Sequence, residues 1–149
     1  MTQKTKLIEH IQGLIQEKVT ALNRQIIQIQ EAQQDDTKSS AGDKFETGRE
    51  MLQAELNKYA LQKAKLEESL GVLASINTQT AHSEVELGSL VQTTQADYFI
   101  AIGLGHLQVE GQSLYVISLA SPLGKALHHK RKGESFVFQN KTILIQDVS

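Results

Sequence analysis

The stretch that decides the fold lies at residues 35–50 and reads Asp-Asp-Thr-Lys-Ser-Ser-Ala-Gly-Asp-Lys-Phe-Glu-Thr-Gly-Arg-Glu. It is polar, five of its residues are acidic, and it interrupts two long helical patterns. Two long helices joined by a short polar connection most simply fold back on each other as an antiparallel hairpin. The stretch then lies at the tip of that hairpin, at about residues 34–46, and carries its carboxylates there.

Both helical patterns carry a narrow apolar stripe with polar flanks, which is typical of a coiled-coil seam. In the first arm, at about residues 4–33, the stripe consists of Ile8, Ile11, Ile15, Val19, Leu22, Ile26 and Ile29. In the second arm, at about residues 42–76, it consists of Phe45, Leu52, Leu56, Tyr59, Leu66, Leu70 and Leu73, with Lys63 at the missing position. Periodicity does not separate pairing within one chain from pairing with a second chain. We favour the intramolecular hairpin, because it already buries both stripes.

After a polar linker at about residues 77–83, the pattern changes to short apolar runs broken by turn residues, which predicts strands. The predicted strands are Leu87–Val91, Tyr98–Ile102, His106–Val109, Ser113–Ile117, Glu134–Phe138 and Thr142–Val148. Ser121 followed by Pro122 predicts the N-cap and first position of a short helix. We therefore expect a small antiparallel sheet with one short helix packed on it.

Composition narrows the classes of function. The 149 residues include 15 Lys and Arg and 17 Asp and Glu, a formal net charge of −2, whereas domains that hold nucleic acid by bulk charge are usually strongly basic. The absence of cysteine excludes disulfides and cysteine-ligated metals. His82, His106, His128 and His129 lack the usual spacing of zinc ligands, so we do not expect a zinc site. Since no apolar run has signal-peptide or membrane-spanning length, we expect a cytoplasmic protein without membrane contact.

Two acids at the tip, Asp43 and Glu46, allow two interpretations. Near the start of a helix they interact favourably with its dipole behind an N-cap at Ser40, which needs no function. Alternatively, two carboxylates three residues apart project from one helical face and hold a divalent cation with oxygens from another molecule. Asp35 and Asp36, on the other side of the tip, are an alternative pair.

These features together resemble the Gre family of bacterial transcription elongation factors. The family has an N-terminal helical hairpin and an FKBP-like C-terminal domain, whose short helix begins with Ser-Pro and precedes a Gly- and Lys-containing turn and two final strands. In this chain Ser121–Leu127, Lys132–Glu134 and the strands to Val148 correspond to these. The family's tip motif is Gly-Asp-x-x-Glu-Asn, and residues 42–47 read Gly-Asp-Lys-Phe-Glu-Thr at the matching place.

The resemblance covers nearly the whole chain and implies an α+β protein. Residues 1–78 are expected to form the helical hairpin and residues 79–149 the FKBP-like domain. Members of the family insert the hairpin into the secondary channel of RNA polymerase. Their tip carboxylates help to hold a second Mg²⁺ at the polymerase active site, which stimulates cleavage of backtracked RNA.

For this chain the resemblance implies that Asp43 and Glu46 act in trans, with Mg²⁺ shared with the polymerase and no cofactor in isolation. The chain would then stimulate the polymerase rather than catalyse by itself, and would contact nascent RNA and DNA only indirectly. We expect it to be a monomer. The residues expected to bind the partner are Asp35, Asp36, Lys38, Lys44, Arg49, Ser121, Pro122 and Lys125.

Three alternatives stay open. The first is a Gre-like channel-binding regulator without cleavage activity, because Thr47 replaces the family's asparagine and Gly48 follows it. The second is a coiled-coil interaction or dimerisation module. The third is a prolyl isomerase, which needs an aromatic-lined pocket, whereas the few aromatic residues here lie at strand positions that a core can absorb.

Overall fold

The computed structural model describes the backbone of residues 2–37 and 42–149 and the side chains of residues 2–35 and 47–149. Over these residues the chain forms two long helices, followed by a six-stranded sheet with one short helix. The predicted α+β class with an N-terminal helical hairpin is therefore confirmed.

The two long helices are α1, Gln3–Thr37, and α2, Gly42–Ser75. At 1.5 Å per residue each is about 50 Å long. In each helix, the described residues of the predicted apolar stripe are buried or half-buried, as expected for two helices packed along a seam. In α1 the buried members are Ile8, Ile11, Ile15, Val19 and Ile29, and the half-buried ones are Leu22 and Ile26. In α2 Leu73 is buried, and Leu52, Leu56, Tyr59, Lys63, Leu66 and Leu70 are half-buried.

By its contacts the chain divides into two compact units. The hairpin unit is Gln12–Gly71, and the sheet unit combines Met1–Ile11 with Val72–Ser149. Helix α1 thus begins in the sheet unit and continues into the hairpin unit, and α2 ends in the sheet unit. The domain boundary between residues 78 and 79 stays a prediction.

The six strands are β1, Leu90–Thr93; β2, Asp97–Ile100; β3, Gly105–Val109; β4, Gln112–Ile117; β5, Ser135–Phe138; and β6, Lys141–Val148. They lie in the order β3-β4-β2-β1-β6-β5. The short helix α3, Pro122–Leu127, follows β4. Two of the tight turns have two successive residues with positive φ, Glu110-Gly111 and Gln139-Asn140, as two-residue hairpin loops require.

The sheet differs from the prediction in one pairing. Strands β2 and β4 are parallel, in the register Tyr98↔Tyr115 and Phe99↔Val116, while the other four pairings are antiparallel. The sheet is therefore mixed and not wholly antiparallel. The chain passes from β2 to β3 without pairing these two strands, and one strand position stays open between them. Strand β4, which forms an antiparallel hairpin with β3, occupies that position and therefore runs parallel to β2.

The first strand also begins later than predicted. The predicted strand Leu87–Val91 contains Gly88, which has a φ of 91° and therefore lies in a turn. A Cβ on Gly88 would lie 2.8 Å from Cγ2 of Ile76, so this position needs glycine for space as well as for backbone conformation. Strand β1 starts only after this turn, at Leu90.

The sheet unit has a core in which side chains lose nearly all contact with water. One cluster comprises Val85, Val91, Tyr98, Ile100, Leu127 and Ile145. Phe99, which alternates with these β2 residues and so faces the opposite side of the sheet, is 0% exposed. The first turns of α1 belong to this unit, because Leu7, Ile8 and Ile11 are buried and Nζ of Lys4 donates to the carbonyl of Thr80 at 2.9 Å.

Candidate functional site

The predicted tip lies between the end of α1 and the start of α2. Helix α1 ends at Thr37 and α2 begins at Gly42, so the backbone of Asp43 and Glu46 is in the first turns of α2. The side chains of these two acids, and those of Asp36 and Lys44, lie outside the described residues, as does Lys38 altogether. Asp35 and Arg49 have exposed side chains. The assignment of a working carboxylate pair thus stays a prediction.

Close to the tip, the described side chains fix how the two helices face each other. Nε2 of Gln33 donates to Oε1 of Gln53 at 3.1 Å, which sets residue 33 of α1 opposite residue 53 of α2. Beside this contact is an apolar groove of about 800 Å³ lined by Ala32, Gly48, Met51, Leu52, Ala54, Glu55 and Lys58. Met51 is 69% exposed. The hairpin therefore presents apolar as well as polar surface near the tip.

In the sheet unit, the Ser-Pro motif forms the predicted cap. Ser121 has extended backbone angles, its Oγ accepts from the backbone N–H of Gly124 at 3.0 Å, and Pro122 occupies the first turn of α3. A Cβ on Gly124 would come within 2.0 Å of the carbonyl oxygen of Ser118. The helix thus packs so closely on the preceding loop that only glycine fits. The side chain of Lys125 is exposed.

The basic run after α3 forms a turn at the surface. Gly133 has a φ of 90°, and the backbone N–H of Arg131 donates to Oε1 of Glu134 at 2.9 Å. The side chains of Arg131 and Lys132 are 65% and 71% exposed. This is the geometry of a solvated turn, which explains the run of charge without nucleic acid.

The core absorbs Tyr98 and Phe99, as expected, but Tyr98 also lines a cleft at the sheet together with Tyr115 and Phe138, which are not buried. The cleft has a volume of about 330 Å³ and is lined by Gln95, Ala96, Tyr98, Tyr115, Ile117, Leu123, Phe138, Gln139 and Lys141. Tyr115 is 42% exposed, and its ring centroid lies 6.0 Å from that of Tyr98. Burial, and secondarily the charge of Tyr115, raise the pKa of Tyr98.

The fold also brings together a group of polar residues from two segments about 45 positions apart, for which the sequence gives no sign. This Glu84 cluster consists of Glu84, Glu86 and His129, each offering one ligand atom, all within 4.8 Å of one another. Nδ1 of His129 lies 3.0 Å from Oε1 of Glu84, and Nη2 of Arg131 lies 3.5 Å from Oε2. The hydrogen bond from His129, followed by the charges of His129 and Arg131, lowers the pKa of Glu84 against an opposing effect of desolvation.

Comparisons with known proteins give structural neighbours only, since no family model and no curated protein matches the chain. A structure described as the transcription factor Gfh1 has a TM-score of 0.39 and 18% identity, covering 92% of each chain. The Thermus thermophilus protein described as GreA factor homolog 1 (Gfh1) has a TM-score of 0.35 and 19% identity, covering 88% of this chain and 94% of that chain. Gfh1 of Thermus aquaticus has a TM-score of 0.34 and 21% identity, covering 87% and 92%.

A membrane-spanning helix needs about 20 consecutive, predominantly apolar residues. Among residues 2–37 and 42–149, no helix is both long and apolar enough to cross a membrane.

Proposed function

We propose that this chain is a Gre-like transcription factor that binds RNA polymerase and supports Mg²⁺-dependent cleavage of backtracked RNA. The observation that carries the proposal is the position of the Gly-Asp-x-x-Glu motif. It opens α2 directly after α1 has ended, at the turning end of a long helical hairpin. The Ser-Pro helix and the two final strands of the sheet unit add the second part of the resemblance.

The donor chemistry of the tip fits Mg²⁺ in part. Asp43 and Glu46 are three residues apart in a helix and so share a face, and carboxylate oxygens are ligands that Mg²⁺ accepts. Two carboxylates do not complete the octahedral shell of Mg²⁺, so the remaining oxygens must come from the polymerase, its RNA and water. When bound, the ion would stabilise charge on the attacked phosphate. The role of Asp43 and Glu46 would be to hold their oxygens in place for it.

Other residues would secure the complex. Near the tip, Lys38, Lys44 and Arg49 would contact phosphates or acidic side chains of the partner, and Asp35 and Asp36 are the alternative acidic pair. In the sheet unit, Ser121, Pro122 and the exposed Lys125 would contact the rim of the channel. Because exposed ion pairs contribute little each, we expect these contacts to set orientation more than affinity.

The test is RNA cleavage in a stalled, backtracked complex of a bacterial RNA polymerase, after a pull-down has measured binding. The double variant Asp43→Ala with Glu46→Ala should lose about a hundredfold or more of the stimulated cleavage rate, because a metal ion contributes several kcal/mol of charge stabilisation. It should still bind the polymerase. The competing pair is tested by Asp35→Ala with Asp36→Ala, which removes the same number of charges near the tip and should retain cleavage if Asp43 and Glu46 are the working pair.

The other outcomes distinguish the remaining functions. Cleavage lost only in the Asp35 and Asp36 variant would assign the role to that pair. Binding without cleavage by the unaltered chain would favour a channel-binding regulator, which Thr47 and the helical Gly48 at the start of α2 also favour. No binding would contradict the proposal. The exposed Ile27, Met51 and Leu61 on the hairpin would then favour an interaction module, and light scattering at several concentrations would show whether it dimerises.

A further inference from the structure

The Glu84 cluster is held by a backbone frame inside the sheet unit. The N–H of Val85 donates to the carbonyl of Lys130, and the N–H of His129 donates to the carbonyl of Val85, both at 2.9 Å. Glu84 forms an isolated β-bridge with Arg131. Val85 is 0% exposed and anchors the segment in the core. The two segments that carry the cluster are therefore hydrogen-bonded to each other through both the N–H and the carbonyl of the buried Val85.

Extended geometry places the two carboxylates together. In an extended segment, side chains alternate between opposite sides, so Glu84 and Glu86 lie on the side opposite to Val85. The loop that follows is also fixed, because the N–H of Glu86 donates to Oγ of Ser89 and the N–H of Gly88 donates to the carbonyl of Ile100. Both glutamates thus start from a backbone with little freedom to move.

The imidazole of His129 is brought to the carboxylates by an uncommon backbone conformation. His129 has a φ of 67°, in the left-handed region that non-glycine residues seldom occupy. Its ring stacks on that of His128, with centroids 3.7 Å apart, and its Nδ1 lies 3.0 Å from Oε1 of Glu84. The backbone and the neighbouring ring both hold this nitrogen toward the acids.

The distances suit a metal ion after small movements. Ligand atoms bound tetrahedrally at about 2.1 Å from a metal lie roughly 3.4 Å from one another. The three ligand atoms of the cluster already lie within 4.8 Å of one another. Glu86 and His129 are exposed, so their side chains can move by this difference without disturbing the core.

Two further side chains orient the carboxylates from outside. Nδ1 of His82 lies 3.4 Å from Oε2 of Glu86, and Nη2 of Arg131 lies 3.5 Å from Oε2 of Glu84. Such outer contacts are a regular feature of metal sites, where they fix the ligand geometry. Arg131 also brings a positive charge, but the charges of the two carboxylates outweigh it.

We propose that Glu84, Glu86 and His129 bind a divalent first-row transition-metal ion, with Zn²⁺ as the ion of best fit and water in the fourth position. One imidazole with two carboxylates favours such an ion over Mg²⁺, whose preferred ligands are all oxygens. The ion takes the place of the proton between His129 and Glu84. It joins the segment before β1 to the turn after α3, so it stabilises the folded sheet unit. This site is separate from the hairpin tip and does not depend on the proposed function.

The test uses the full chain without a polyhistidine tag, stripped of metal with a chelator and titrated calorimetrically with ZnCl₂. We expect saturable binding of one ion and a melting temperature that rises by about 5 °C or more at a hundredfold excess over Kd, because the ion binds only the folded state. MgCl₂ at the same concentration should cause no shift. Absorption of the Co²⁺-substituted protein then reports whether nitrogen and oxygen ligands surround the metal tetrahedrally.

Three variants show whether the named residues hold the ion. His129→Ala and, separately, Glu86→Gln should each weaken Zn²⁺ binding at least about tenfold, the order of loss that disturbing a metal site causes. Glu86→Gln keeps the size of an exposed side chain, so it should fold even if His129→Ala does not. His106→Ala is the matched control, because it removes another exposed histidine of the sheet unit, and it should bind normally.

Either of two results would overturn the proposal. One is the lack of saturable Zn²⁺ binding by the unaltered chain, which would leave the cluster as a charge network of Glu84 with His129 and Arg131. The other is binding that Glu86→Gln leaves unchanged while His106→Ala weakens it, which would move the site to other histidines.

Discussion

The hairpin unit and the sheet unit bury their apolar side chains to different degrees. In the hairpin unit, Ile15, Val19 and Ile29 of the first stripe are buried, but most members of the second stripe, such as Leu56 and Leu66, are only half-buried. In the sheet unit, Phe99 and Ile100 are 0% exposed. Since the gain from burial follows the area removed from water, single side chains stabilise the sheet unit more. The hairpin depends on many small, repeated contacts.

The largest expected effect tests this difference directly. Phe99→Ala should lower the free energy of unfolding of the sheet unit by about 3–5 kcal/mol, the usual cost of emptying a closed core site. Leu66→Ala in the hairpin should cost well under half of that. Urea denaturation gives the overall loss, and hydrogen exchange assigns it to a unit. Equal losses for the two variants would show that the hairpin is packed as tightly as the sheet.

A smaller effect should follow from the close packing of α3. Gly124→Ala places a methyl group against the carbonyl of Ser118 and should cost about 3 kcal/mol through forced movement of the backbone. Gly103→Ala is the matched control, because no atom lies within 4 Å of a Cβ there and its φ is not positive. Urea denaturation measures both. A neutral Gly124→Ala would mean that the loop before α3 yields easily.

The smallest effect concerns charge at the surface of the sheet unit, and its sign follows from the pKa of Glu84. Because that pKa is lowered from its ordinary 4.5 in the folded state, the stabilisation by Glu84 is complete above the unfolded value and is lost as the pH falls through the folded value. Urea midpoints of the unaltered chain and of Glu84→Gln, measured with chelator, should therefore differ at pH about 6, and the difference should shrink as the pH falls below 4.5. A constant difference over this range would contradict the prediction.

Features encoded locally were predictable from the sequence. The spacing of Ile11, Ile15 and Val19 identifies a helical stripe, and the Ser121-Pro122 cap is a signal carried by adjacent residues. The positive-φ turns at Glu110-Gly111 and Gln139-Asn140 also lie where the strand patterns stop. In each case the residues that determine the structure are neighbours along the chain.

Features that depend on distant segments were not predictable in the same way. The parallel pairing of β2 with β4 depends on the order of the strands in the sheet. The apolar runs of the sequence predict strands but contain no information about that order. Glu84 and His129 are 45 residues apart, and only the backbone frame around Val85 brings them together. Counting histidines at short spacings therefore gave no sign of the Glu84 cluster. The displaced start of β1 was the exception, because Gly88 was a visible signal of a turn.

One consequence follows from the course of α1 and α2 through the two units. The chain leaves the sheet unit after Ile11 and returns to it at Val72, so the hairpin is an insertion with both ends in one unit. Evolution can lengthen or shorten such an insertion by adding or removing the same number of heptads in both helices. The seam repeats with each heptad, so the residues at the base of the hairpin keep their places in the sheet unit. A fragment that starts after the linker, by contrast, loses Leu7, Ile8 and Ile11 from the sheet unit and leaves their apolar neighbours uncovered, so it is expected to aggregate.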